Sequence, residues 1–188
     1  MSEEQDPSKR GESHHLLRGY ERMLERLRER FAHGEGQQHA PRLREALEHV
    51  KERAVALGEM TREEAEHVGE YLRRDVEEAG GWLAARGRDQ HLGDWLRMDL
   101  QMLESWLWEA FSSVADRTEL ELRGFTTTGE PSVYHTGEIA GPGTLVCMAC
   151  GREVTFARPA HIPPCPGCHH TQFVRPTQAG ESGDQPEE

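Results

Sequence analysis

Every cysteine of the chain lies in one stretch, as Cys147-Met-Ala-Cys150 and Cys165-Pro-Gly-Cys168, with 14 residues between the pairs. Each Cys-x-x-Cys can present two thiolates from one tight knuckle, and two knuckles complete a tetrahedral shell of the kind Zn²⁺ prefers. The neighbouring runs Thr144-Leu-Val146, Glu153-Val-Thr-Phe156 and Gln172-Phe-Val174 are β-prone, so the spacing predicts a zinc ribbon. The expected metal ligands are Cys147, Cys150, Cys165 and Cys168, holding one structural Zn²⁺ per chain. So small a module has little core of its own and needs such a staple. Other chemistries fit less well. Cys165-Pro-Gly-Cys168-His169 matches the c-type haem attachment pattern, but it would leave the first pair idle. A thioredoxin-like redox pair needs a βαβ setting that the flanks lack. A zinc-linked thiol switch uses the same ligands and stays open as an alternative. His161, His169 and His170 sit near the knuckles, yet four thiolates already close the shell, so they are expected at the surface.

No other catalytic pattern is present. Glu12-x-x-His15 and Glu64-x-x-His67 match the Glu-x-x-His unit of di-iron bundles, but both fall near helix starts. Glu64 is better explained as the glutamate of a capping box, Thr61-Arg-Glu-Glu64. Phosphate loops, nucleophile elbows, zincin helices and dinucleotide fingerprints are missing, and Gly141-Pro-Gly143 is too short to cradle a phosphate. The expectation is a protein that is not an enzyme.

The elements that must carry the cysteine module are helical. Apolar residues recur at spacings of three and four through Tyr20, Leu24, Leu27 and Phe31. The same holds for Leu43, Leu47, Val50, Ala54 and Leu57, and for Ala65, Val68, Leu72, Val76, Ala79 and Leu83. It returns at Leu96, Leu100, Leu103, Leu107, Ala110 and Val114. One apolar stripe per helix predicts an antiparallel bundle or coiled-coil hairpins. Gly34 and Gly36 should end the first helix, Pro41 suits the first turn of the second, and Gly58 should close it. Gly80, Gly81 and Gly87 should weaken the end of the third, and Asp89 or Asp94 could cap the fourth. The fold class is mainly α: a helical bundle over 12–124, then a small C-terminal β zinc ribbon over 144–176. A Gly/Pro/Thr-rich linker over 125–143 joins them, and 1–11 and an acidic 177–188 read as disordered.

Charge limits the partners. The chain has 188 residues, 35% of them apolar, and a formal net charge of −12. Residues 125–176 carry three Arg and three Glu, and residues 1–124 carry 19 basic against 27 acidic side chains. With no basic stripe, tight backbone binding to nucleic acid is not expected, although a nucleic-acid or transcription/translation-associated ribbon remains the alternative reading. Phe156 and Phe173 are expected in the core of the small sheet rather than stacked on bases. A polar N-terminus and no long apolar run predict a cytoplasmic protein without a membrane span.

The fourth helix carries a second stripe, Trp95, Met98, Met102 and Trp106, displaced from its apolar stripe by about 120°. That stripe either packs inside the bundle or meets another chain, since Trp and Met are enriched at interfaces. A homodimer is the simplest such partner, and the function expected is a helical protein-interaction or assembly module.

Three segments together carry a family likeness: Met60–Asp75, Tyr134–Gly151 and Ile162–Arg175. They resemble the YbeL-like family of bacterial zinc ribbon-containing proteins over about 16–176. The resemblance implies a helical N-terminal region, a C-terminal zinc ribbon and the same four cysteine ligands, and it brings no activity with it. Gly151 follows the second cysteine as such knuckles commonly require, whereas His169 holds that place in the second knuckle. Histidine accepts a left-handed backbone better than most residues, so the knuckle should form.

Overall fold

The computed structural model describes residues 7–34, 42–86, 96, 101, 104–122 and 132–176. Among the described residues the main helices are α1 (Pro7–Gly34), α2 (Leu43–Ala56), α3 (Arg62–Arg86) and α4 (Ser105–Leu122). Six short strands follow: β1 (Tyr134–His135), β2 (Ile139–Ala140), β3 (Gly143–Cys147), β4 (Glu153–Phe156), β5 (Ala160–His161) and β6 (Gln172–Val174). The fold is mainly α with a C-terminal β module that carries the cysteines.

The periodic stripes form the core. Tyr20, Leu24, Leu27 and Phe31 of α1, Leu43, Leu47, Val50 and Ala54 of α2, and all six stripe positions of α3 are buried in one cluster. α3 is the central element and packs against α1, α2 and α4. Leu57 departs from its stripe, standing 47% exposed, because α2 has already ended at Ala56. Its end is a Schellman motif: the Gly58 N–H donates to Val55 O and the Glu59 N–H to Ala54 O, with Gly58 at φ +67°. The capping box is present as expected. The Glu64 carboxylate accepts from the Thr61 N–H at 2.7 Å, and the Thr61 hydroxyl accepts from the Glu64 N–H at 3.2 Å.

Two expectations are corrected. The helix expected along the fourth stripe is interrupted at Glu104: Leu96 is helical, Glu104 is not, and α4 runs from Ser105 to Leu122. Glu104 is its N-cap residue. Its carbonyl accepts from the Leu107 and Trp108 N–H groups, and its carboxylate takes the Trp106 indole N–H at 2.7 Å. A carboxylate there complements the helix dipole, which favours a start at this point. α3 runs through Gly80 and Gly81 to Arg86, because buried Ala79 and Leu83 keep its stripe packed across the glycines. Second, regular structure begins earlier than composition suggests in both the helical and the β region. α1 starts at Pro7, and β1 and β2 lie inside the segment read as a linker. Pro41, Gly36, Gly87, Asp89, Asp94, Leu100 and Leu103 lie outside the described residues.

The β module is a four-stranded antiparallel sheet in the order β1-β6-β3-β4, with β2 and β5 forming a separate antiparallel pair. The register places Tyr134 opposite Phe173 and Phe173 opposite Cys147. Its own core is small: Tyr134, Ala140, Leu145, Phe156, Ile162 and Phe173, with the ligand candidates Cys147 and Cys165. Phe156 and Phe173 are thus core residues, as their alternation implied.

Candidate metal centre

Each knuckle is built by its backbone. β3 ends at Cys147, whose N–H donates to Arg152 O, and the Gly151 N–H folds back to Cys147 O at 3.0 Å. The second knuckle repeats this pattern: the Cys165 N–H donates to His170 O and the His169 N–H to Cys165 O, both at 2.9 Å. The turns need a left-handed residue after the second cysteine. Gly151 supplies it at φ +69° and His169 at φ +60°, so the histidine adopts the glycine conformation that its position demands.

The two knuckles bring the four sulfurs within 4.8 Å of one another. Cys147 Sγ lies 3.6 Å from Cys168 Sγ, and Cys150 Sγ lies 3.6 Å from Cys165 Sγ. A tetrahedron with metal–sulfur arms of ~2.3 Å has edges of ~3.8 Å. The donor set and its spacing therefore fit a tetrahedral Zn²⁺, and the sulfurs are too far apart for disulfides, whose bond is about 2.05 Å. Cys147 and Cys165 are buried on the sheet side, and Cys150 and Cys168 are exposed.

The thiols are electrostatically unequal. Burial raises Cys165, but the Gly167 and Cys168 amides and the thiols of Cys150 and Cys147 outweigh it and bring the group down to about 6. At Cys168 the His170 amide lowers the value, but the neighbouring thiols and burial carry it up to about 12. Thiols this close cannot all ionise without a cation between them. A divalent metal supplies that charge, and such binding releases protons.

The histidines take other roles. His161 is half-buried, with Nδ1 2.9 Å from Gly137 O, so it is held in place rather than free at the surface. His169 is exposed and His170 is partly covered. His67 is exposed, His15 Nε2 stands 3.8 Å from Glu64 Oε2, and the Glu12 side chain lies outside the described residues. Among the described residues, the four cysteines are the sole set of His, Cys, Asp and Glu that converges closely enough to hold a metal.

Sequence reasoning missed a second polar cluster, where the β module sits on α3. Asp75 is fully buried and accepts from the Tyr20 hydroxyl at 2.8 Å, the Tyr134 hydroxyl at 2.9 Å and the Gly141 N–H at 2.7 Å. Arg175 lies 3.6 Å away as its ion-pair partner and donates to Pro142 O and Gly141 O. The legible signal was the position of Asp75 itself: three residues after Leu72 and four before Ala79, a carboxylate on the apolar stripe. Burial, followed by the neighbouring Asp75 charge, holds both Tyr20 and Tyr134 far above the usual phenol range.

Comparison with known proteins agrees with the site. A family model described as a zinc-ribbon containing domain matches residues 31–177. YbeL, named as an uncharacterized protein, is 31% identical over 157 residues in Escherichia coli K12, covering 83% of this chain and 92% of the relative. The YbeL sequences of strains O6:H1 and O157:H7 match to the same extent. No solved structure matches the chain.

Proposed function

The chain belongs to the family of the zinc-ribbon containing domain, and from that premise we propose that it is a non-enzymatic assembly module, stapled by one structural Zn²⁺ per chain. The observation that carries this reading is the four-sulfur cluster. Four protein ligands fill a tetrahedral shell, whereas a catalytic zinc keeps a position open for water or substrate. Cys147, Cys150, Cys165 and Cys168 are the ligands, and the metal makes the small sheet rigid.

The working surface is the helical part, and its partner is a second copy of the chain. Trp106 supports this: it stands 37% exposed on α4, large and apolar at a helix start. Trp95, Met98 and Met102, the other members of its stripe, lie outside the described residues. No described helix is long and apolar enough to cross a membrane, which is compatible with a place in the cytoplasm.

Size-exclusion chromatography with light scattering tests the assembly role. The wild type should elute as a dimer, and Trp95→Glu with Trp106→Glu should give a folded monomer with unchanged zinc content. A wild type that is monomeric at all concentrations, or a folded variant that remains dimeric, contradicts self-assembly through this stripe.

A further inference from the structure

The β module does not hang from the bundle. It is clamped to α3 by buried polar contacts, and the residues that make the clamp are positioned by the strands that end in the cysteines. Three of the four groups around Asp75 come from the β module: Tyr134 of β1, the Gly141 N–H after β2, and Arg175 after β6. Arg175 braces the same loop through Pro142 O at 3.1 Å and Gly141 O at 3.2 Å. The approach is close: a Cβ on Gly141 would lie 2.6 Å from the Tyr20 hydroxyl and 3.0 Å from the Asp75 carboxylate. Beside it, Arg74 donates to Glu138 Oε2 at 2.6 Å and Ile139 O at 3.2 Å, with its guanidinium 3.8 Å above the Tyr134 ring. Ile139 itself is buried in the helical core.

These contacts are one or two steps from the sulfurs. Tyr134 pairs with Phe173, which pairs with Cys147, and Arg175 follows Phe173 by two residues. On the other side, the Ile162 N–H donates to Glu138 O at 2.9 Å, and Cys165 lies three residues further on. Two of the eight residues in the module's core are the cysteines Cys147 and Cys165. Remove the charge that holds four thiolates together, and little remains to keep Tyr134, Gly141 and Arg175 in register.

We propose that metal occupancy and docking of the β module on α3 are a single linked equilibrium, with Asp75 as the anchor. Loss of the metal lifts the module and uncovers the Asp75 face of the bundle, and docking in turn tightens the metal site. Linkage requires the two effects to be equal in size. This inference rests on the four cysteines holding Zn²⁺, as proposed above.

Two measurements on the full-length chain, under reducing conditions, test it. Hydrogen exchange by mass spectrometry is compared for zinc-loaded and EDTA-stripped protein. Stripping should speed exchange at least tenfold in peptides covering 134–146, where Asp75 protects the Gly141 amide, and zinc should restore it. Zinc transfer to a chromogenic chelator is then compared across variants. Asp75→Asn should transfer zinc at least tenfold faster and Glu138→Gln about threefold faster. Glu59→Gln, which breaks the Arg26 pair inside the bundle instead, should stay within twofold of wild type. Should Asp75→Asn fail to fold, Glu138→Gln and the exchange comparison decide. A chain that takes up no metal overturns both this inference and the metal reading. A chain that binds zinc, yet keeps the 134–146 peptides protected after stripping or shows wild-type transfer from folded Asp75→Asn or Glu138→Gln, overturns the linkage alone.

Discussion

At the scale of single residues, the candidate metal centre is the part of the molecule most legible in sequence. Two Cys-x-x-Cys knuckles are local motifs, so spacing specifies them almost completely, and the glycine rule after the second cysteine even locates the left-handed residue. His169 occupies that conformation at a cost glycine would not incur. His169→Gly should therefore stabilise the zinc-loaded protein by about 1 kcal/mol, read as a rise in thermal midpoint, whereas Gly151→Ala should lose a similar amount. Asp75, Tyr134 and Arg175 were not legible in this way. They are distant in sequence and neutralise one another only after folding, so no local pattern announces them, apart from a carboxylate placed on an apolar stripe. Glu78 belongs to this group too. Its carboxylate accepts from the Ser132 N–H at 3.1 Å and lies 2.6 Å from the Tyr134 hydroxyl. Burial, first of all, raises it above the usual carboxyl range against these hydrogen bonds. The folded state thus holds its proton more tightly than the unfolded chain, so stability falls as pH rises from the unfolded carboxyl range through the raised value. Below the unfolded carboxyl range, near ~4.3, that cost is gone. Glu78→Gln should raise the thermal midpoint by about 2–4 °C at pH 8, and the gain should vanish near pH 4.

At the scale of elements, helical periodicity identified the apolar stripes because burial on one face imposes it, and the described members of the fourth, Leu96, Leu107, Ala110 and Val114, are buried with the rest. Every α1 and α3 stripe position is buried, and α2 fails only at Leu57, past its end. The interruption of the fourth stripe at Glu104 is not legible because Leu and Trp continue the period on both sides of it, and a break made by an N-cap carboxylate leaves no glycine or proline to mark it. Arg158 of the β module also reaches that carboxylate, at 2.9 Å, so the start of α4 is partly a tertiary decision. Caps with a fixed local pattern were easier to read. Thr61→Ala removes one half of the α3 box and should cost about 1 kcal/mol, measured by chemical denaturation, with zinc content unchanged.

At the scale of the whole molecule, composition suggested two bodies joined by a linker, and the packing shows why that division is incomplete. The segment 132–143 holds three glycines because it makes tight turns against α3, and short strands of two residues lie below what periodicity can detect. The β module and the bundle consequently share a buried ion pair, two buried tyrosines and Ile139. Breaking one partner of a buried pair typically costs about 3–5 kcal/mol, so Asp75→Asn should lower the stability of the whole chain and not of the module alone. The central claim is that four cysteines hold one structural Zn²⁺, and the most direct test is elemental analysis of the purified full-length protein beside its Cys165→Ser/Cys168→Ser variant. About one Zn per chain in the wild type, with loss of that zinc in the variant, is the expected result. Haem or iron in place of zinc, or full zinc retention without the second knuckle, would contradict it.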